Sequence, residues 1–324
     1  MHRLSRIVFV VVALSACLWA PAVLAQAYPS KTIRMILPFP PGGPTDIVGR
    51  LVAQKLSEQI GQSVVADSRP GASGNLGLEL ASKAPPDGYT IALSSPVISL
   101  SPLLYSRLNY DPHKDLAPIA LVGEVRNVLV VHPSVPAKSL KDLIALARKN
   151  PGKLNYGSGG IGTTTHLAPE LLKSLEKLDI VHVPYKGSGL ALIGLVGGQI
   201  DLLVVAAPAA VNQIQAGRVR ALAVLSPERL TSLPDVPTTK EQGFENFEIS
   251  VWYGMLAPAA TPRDIINRLN AEINKAMTAP DMQGKLATSG VHPLTGSPEK
   301  FGNLIKSEAA RFAKVIKEAG IKAD

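Results

Sequence analysis

Two hydrophobic periods alternate along this chain. Residues 32–39 (TIRMILPF) form a continuous apolar run of strand length. Residues 46–60 (DIVGRLVAQKLSEQI) then place Ile47, Val48, Leu51, Val52 and Leu56 on one helical face. SVVADS (63–68) reads as a second strand, LGLELASKA (76–84) as a helix after the turn-rich RPGASGN, and YTIALSS (89–95) as a third strand. Strand, helix, strand, helix, strand is the pattern of a parallel sheet covered on both faces.

A second series follows the long apolar stretch 117–133. SLKDLIALARKN, TTTHLAPELLKSLEKL, ALIGLVGG and AAVNQIQAG read as helices, and KLNYGSG, DIVHVPY, IDLLVVAAP and VRALAVLS as the strands between them. Short helices between continuous apolar strands suit a doubly wound α/β unit. Residues 226–246 are irregular; FEISVWYGMLAP then gives one more strand, and two helices (263–278 and 299–320) end the chain. These last helices have no third sheet to cover. The economical arrangement is an α/β protein of two lobes: 28–125 begins the first, 126–225 forms the second, and 226–324 returns to the first. The resulting cleft between lobes is where a small ligand sits.

Two stretches concentrate backbone constraint at helix starts. PFPPGGPTD (38–46) runs into the first helix, and NYGSGGIGTTTH (155–166) into another in the second lobe. Glycines let backbone approach a ligand closely, and the first amides of a helix have no partner inside it. Such an end favours an anion. Two of them, one per lobe, suggest a clamp for negative charge. Gly157, Gly159 and Gly162 also have the G-x-G-x-x-G spacing of a dinucleotide loop, but no acid closes the next strand where a ribose would be held.

Composition narrows the partners. At 46% hydrophobic and 18% charged, the 324 residues can bury a large core and do not suit disorder. His2, Arg3 and Arg6 precede an apolar run at 7–25 with small residues at Val23, Ala25 and Ala27, the pattern of an export signal cut near Ala25 or Ala27. An uncleaved anchor and a lipoprotein cut before Cys17 are the rival expectations. Cleavage after Ala27 would remove Arg3, Arg6, no acid and the single cysteine, lowering the formal charge by two from +8 to +6. The exported chain would then have no thiol chemistry. No basic block interleaved with aromatics suggests nucleic acid.

Catalytic signatures are missing: no G-x-S-x-G, no G-x-x-x-x-G-K-[ST] and no H-E-x-x-H. The histidines show no metal-ligand spacing. His166, in the first turn after GTTT, either presents a positive imidazole to a carboxylate or packs. Asp46 suits a helix start, and Trp252 a core or hinge position.

YPSKTIRMILPFPPGGPTDIVGRLVAQKL, RPGASGNLG, PPDGYT, LNYGSGGIGTTTHLAPELL, HVPYKG and GGQIDLLV followed by AGRVRALAV occur together in this order. The set resembles the substrate receptors of tripartite tricarboxylate transporters, the Bug receptors, from about Tyr28 onward. The resemblance implies a two-lobed periplasmic-binding-protein fold of the second topological type. Each lobe would be a mostly parallel sheet flanked by helices, closing on a small carboxylate. It implies a periplasmic monomer, not an enzyme, with no cofactor or metal. Its partner would be a permease of one large and one small membrane subunit. A ligand-presenting sensor is the alternative, and a two-lobed enzyme a more distant one.

Transferred to matching positions, the family's ligand loops fall on Phe39, Gly42, Gly43, Thr45 and Asp46 in one lobe. In the other they fall on Ser158, Gly159, Gly162, Thr163, Thr164 and His166, with Ser94 and Ser95 on the floor. Where relatives often carry an Asp and a small polar residue, this chain has Val205 and Ala206. A buried ammonium would lack its partner there, which disfavours an amino-dicarboxylate.

Overall fold

β1 (Ile33–Leu37) is buried except at Arg34, so both its faces are covered, as its apolar run requires. α1 (Pro44–Ile60) follows and buries Val48, Val52 and Leu56, whereas Ile47 stays 42% exposed. The computed structural model describes residues 28–318 and 320–323, and the fold is carried from Lys31 onward. The expected export segment with Cys17 lies outside the described residues. Among the described residues no helix is long and apolar enough to cross a membrane.

β2 (Val64–Ser68), α2 (Asn75–Ser82), β3 (Thr90–Ser94) and α3 (Val97–Leu104) come next, and β2 and β3 flank β1 in parallel. The stretch that reads as long and apolar is one strand, β4 (Leu116–Val131), of 16 residues. The second series is α4 (Leu140–Lys149), β5 (Asn155–Ser158), α5 (Thr164–Glu176), β6 (Val181–Pro184) and α6 (Ser188–Val196). It continues through β7 (Leu202–Ala206), α7 (Ala207–Gln215) and β8 (Arg220–Val224). After the irregular stretch come β9 (Ser250–Pro258), α8 (Arg263–Thr278), α9 (Pro280–Thr288), β10 (Val291–Pro293) and α10 (Pro298–Glu318).

The strand order is β2-β1-β3-β9-β4-β7-β5-β6, with β8 and β10 also paired to β4. β4 joins two half-sheets. From Leu116 to Arg126 it pairs antiparallel with β9, and from Asn127 to Val131 with β7. The halves repeat one order, β2-β1-β3-β9-β4 and β6-β5-β7-β4-β8, so in each an antiparallel strand enters beside three parallel ones. The return path crosses at the same place: Leu225 N–H donates to Asn127 O, and Ile249 N–H to Leu225 O (2.9 and 3.1 Å). Asn127 Nδ2–H donates to Ile249 O at 3.0 Å, tying both crossings together.

Each half has its own apolar core, and α10 joins both. Its Phe301 and Ile305 pack with Ile36, Ala92 and Trp252 of the first. Its Phe312, Val315 and Ile316 pack with Leu129, Tyr156 and Leu172 of the second.

Candidate functional site

Five helices, α1, α3, α5, α6 and α7, follow the ends of β1, β3, β5, β6 and β7, the side of an open α/β sheet where ligands bind. Their first residues open on one cavity of about 500 Å³ between the half-sheets. None of their N-cap residues (Gly43, Pro96, Thr163, Gly187 and Ala206) caps its own helix with a side chain. The first two amides with an N–H in α1, α5 and α6 therefore have no intrahelical partner, whereas at the head of α3 Ile98 and Ser99 N–H donate to Ser95 O and Pro96 O, and in α5 His166 N–H donates to Thr163 O. Pro44 at the head of α1 contributes no N–H, leaving Thr45 and Asp46 to present theirs.

Both glycine-rich stretches line this cavity. Phe39, Gly42, Gly43 and Thr45 come from the first, Gly159, Gly162, Thr163 and Thr164 from the second, with Ser95 and Ala206 at the ends of their strands. Hydroxyls shape the second loop. Thr163 Oγ1–H donates to Gly160 O (2.7 Å) and lies 2.8 Å from Thr165 Oγ1, which accepts Gly159 N–H at 2.7 Å. Thr163 and Thr165 thus fold the loop onto itself. The first half reaches across to the same loop, since Ser73 Oγ–H donates to Ile161 O at 3.2 Å. Ala72 and Ser73 both have positive φ (46° and 53°), a local strain held by this contact.

Five expected site residues do not line the cavity. Asp46 turns back: its Oδ2 accepts Gly42 N–H (3.1 Å) and its Oδ1 accepts Arg50 Nε–H (2.9 Å). Burial opposes its charge, yet Arg50 and the Gly42 amide hold its carboxyl below the usual range. Ser94 is fully buried and donates to Ser95 O at 3.2 Å. Val205 packs in a further apolar cluster of the second half, beside Val128 and Ala210. Ser158 is also buried and pairs with His182 Nε2 at 2.7 Å.

Of the two readings of His166, its surroundings fit packing. It is 4% exposed, its ring stacks on His182 (4.1 Å between centroids), and its Nδ1 accepts Gly162 N–H at 3.1 Å. An accepting Nδ1 carries no proton. Burial, then His182 and Lys173, push its pKa down to about 3, so the ring is neutral and supports the loop from behind. Beneath the stack, Tyr156 O–H and Lys173 Nζ both donate to Glu170 Oε1 at 2.6 Å.

Other lining residues have little local signal in the sequence. Asn127 and Tyr253 reach the cavity from β4 and β9. Burial holds the Tyr253 phenol far above its ordinary pKa, and Thr45 is its hydrogen-bond partner. Lys186, Gly187, Ser188 and Gly189 at the head of α6 also line it, with Leu190 and Ile193 further along that helix. Their KGSG run is a third glycine-containing helix start, a signal that was present but lay before the residues read as helical. Lys186 is the one ionic side chain among the described lining residues, and no acid lines the cavity. Among the described residues no cluster of three or more His, Cys, Asp and Glu is placed to hold a metal.

A ligand cleft walled by helix N-termini between two such half-sheets defines a solute-binding protein of the periplasmic type. The chain belongs to the tripartite tricarboxylate transporter receptor family, whose model matches residues 48–321. It is similar to protein BugT of Bordetella pertussis, 38% identical over 99% of each chain. Rpa4515 of Rhodopseudomonas palustris, solved with adipate, is 38% identical at a TM-score of 0.85, over 91% of this chain and 99% of that one. MatC of the same organism, solved with bound malate, is 31% identical at a TM-score of 0.79, over 89% and 100%.

Proposed function

We propose that this protein is an extracytoplasmic receptor that holds a small carboxylate between helix N-termini of its two halves and hands it unchanged to a tripartite permease. One observation carries the reading: five helices, none capped by a side chain, open on a single cavity that no carboxylate side chain lines among the described residues. Hydrogen bonds to a charged group contribute about 1.5–3 kcal/mol each. Three or four of them, less the losses of association, suffice for the roughly −8 kcal/mol of a micromolar ligand. The export-like first 27 residues support a periplasmic location. The lobes would divide near Val125 and Leu225, which the crossing of β4 at Asn127 supports. Ligand would then close them as a monomeric clamp.

Thermal unfolding against succinate, malate, citrate, adipate, aspartate and aromatic diacids tests this. A bound member at about a hundred times its Kd adds about 2.7 kcal/mol, a rise of roughly 5 °C. Thr164→Ile fills the mouth of α5 without touching the Thr163–Thr165 hydroxyl pair, and should abolish that rise while leaving the unliganded Tm in place. Stabilisation by uncharged sugars or cations alone would defeat the proposal.

A further inference from the structure

Away from its helix ends the cleft is mainly apolar, the polar side chains on its strands being Asn127 and Tyr253. Phe39, Val97 and Val251 face it, and so does one side of α6. That helix buries Ala191, Leu192 and Leu195 in the cluster that holds Val128 and Val205, yet it is apolar on its other side too. Leu190 and Ile193, one turn apart, remain 50% and 68% exposed, and both line the cavity. A surface helix ordinarily carries polar residues there. Large exposed apolar side chains inside a concave site mark the wall that a ligand's apolar part covers.

The geometry points to a carboxylate whose body is a plain hydrocarbon, an unsubstituted chain or an aromatic ring, with Leu190 and Ile193 selecting it. This rests on the carboxylate-receptor reading above. Among the described lining residues an amino group would find no carboxylate: Asp46 is held by Gly42 and Arg50, and β7 ends in Val205 and Ala206. A ligand hydroxyl against Leu190 or Ile193 would give up water without gaining a partner, whereas a methylene gains by leaving water.

Calorimetric titration of the purified protein with succinate, glutarate, adipate and pimelate, alongside malate, tartrate, aspartate and benzoate, tests the inference. Each added methylene is expected to tighten binding about fourfold, the equivalent of about 0.8 kcal/mol per buried CH₂. Ile193→Ser and Leu190→Ser should flatten that series, weakening pimelate and adipate by a larger factor than succinate. Both positions are exposed, so the fold is kept, and an unaltered unliganded Tm verifies it. Tighter binding of malate, tartrate or aspartate than of glutarate, or a flat series, overturns the hydrocarbon body and leaves the carboxylate reading standing. A rising series that both serine variants reproduce overturns the role of α6. No binding by any carboxylate sinks both readings.

Discussion

Replacing Gly159 with alanine is expected to weaken carboxylate binding by about 100-fold or more. A Cβ at Gly159 would lie 2.8 Å from the backbone N of Ser188, at the first residue of α6. Backbone cannot rotate aside as a side-chain tip can, so the heads of α5 and α6 must separate. Losing two hydrogen bonds to a charged group, each about 1.5–3 kcal/mol, corresponds to at least that factor. Gly42→Ala is the contrasting variant. Its Cβ would meet nothing within 4 Å, so only the cost of its positive φ (84°), about 1–2 kcal/mol of stability, applies. Calorimetric titration of both variants separates the effects. Wild-type affinity in the Gly159 variant would show that the α5–α6 spacing is irrelevant to binding.

The unliganded protein should lose stability steeply as the pH falls below about 6.5. Burial pushes His166 down to about 3. It pushes His182 down to about 4, with Glu170 acting the other way and Lys173 adding to the fall. In the unfolded chain both imidazoles titrate near 6.5, so between these limits the unfolded state binds more protons than the folded one. Their contribution is complete above about pH 6.5 and declines as the pH falls toward the folded values. Each imidazole can contribute up to about 1.4 kcal/mol per pH unit. Allowing for their mutual stacking, the loss by about pH 4.5 is roughly 3 kcal/mol. Tyr156, Glu170, Lys173 and Ser158 are the polar groups around the pair. Protonating His166 Nδ1 would also evict Gly162 N–H, so the binding loop loosens together with the fold. His182→Phe keeps the ring stack and removes one titrating group, and its loss on acidification should be shallower. An unchanged Tm from about pH 7.5 to 4.5 would contradict this account of the stack.

Much of this was legible because glycine and proline carry a local backbone signal. PFPPGGPTD and NYGSGGIGTTT announce themselves whatever surrounds them, and both line the cavity. The unread parts fail for physical reasons. α3 (VISLSPLL) is nearly all apolar, so it has no stripe from which to count a helical period. α9 and β10 are short pieces between longer elements. Asn127 and Tyr253 sit on strands whose two faces are both buried, so alternation cannot say which side chain meets a ligand. His166 shows the opposite limit. Its place in the first turn is readable, but its direction is set by His182 on another strand, a contact that only tertiary structure makes. Asp46 likewise serves Gly42 and Arg50 locally rather than the cleft.

Backbone-amide NMR of the protein titrated with glutarate tests most directly whether amides from both halves grip one anion. The signals of Thr45 and Asp46 in α1, Thr164 and Thr165 in α5, and Ser188 and Gly189 in α6 are expected to shift together and saturate at one Kd, and the uncharged diamide of glutarate should leave them in place. Shifts confined to one half, or equal shifts with the diamide, would contradict a carboxylate held between helix N-termini.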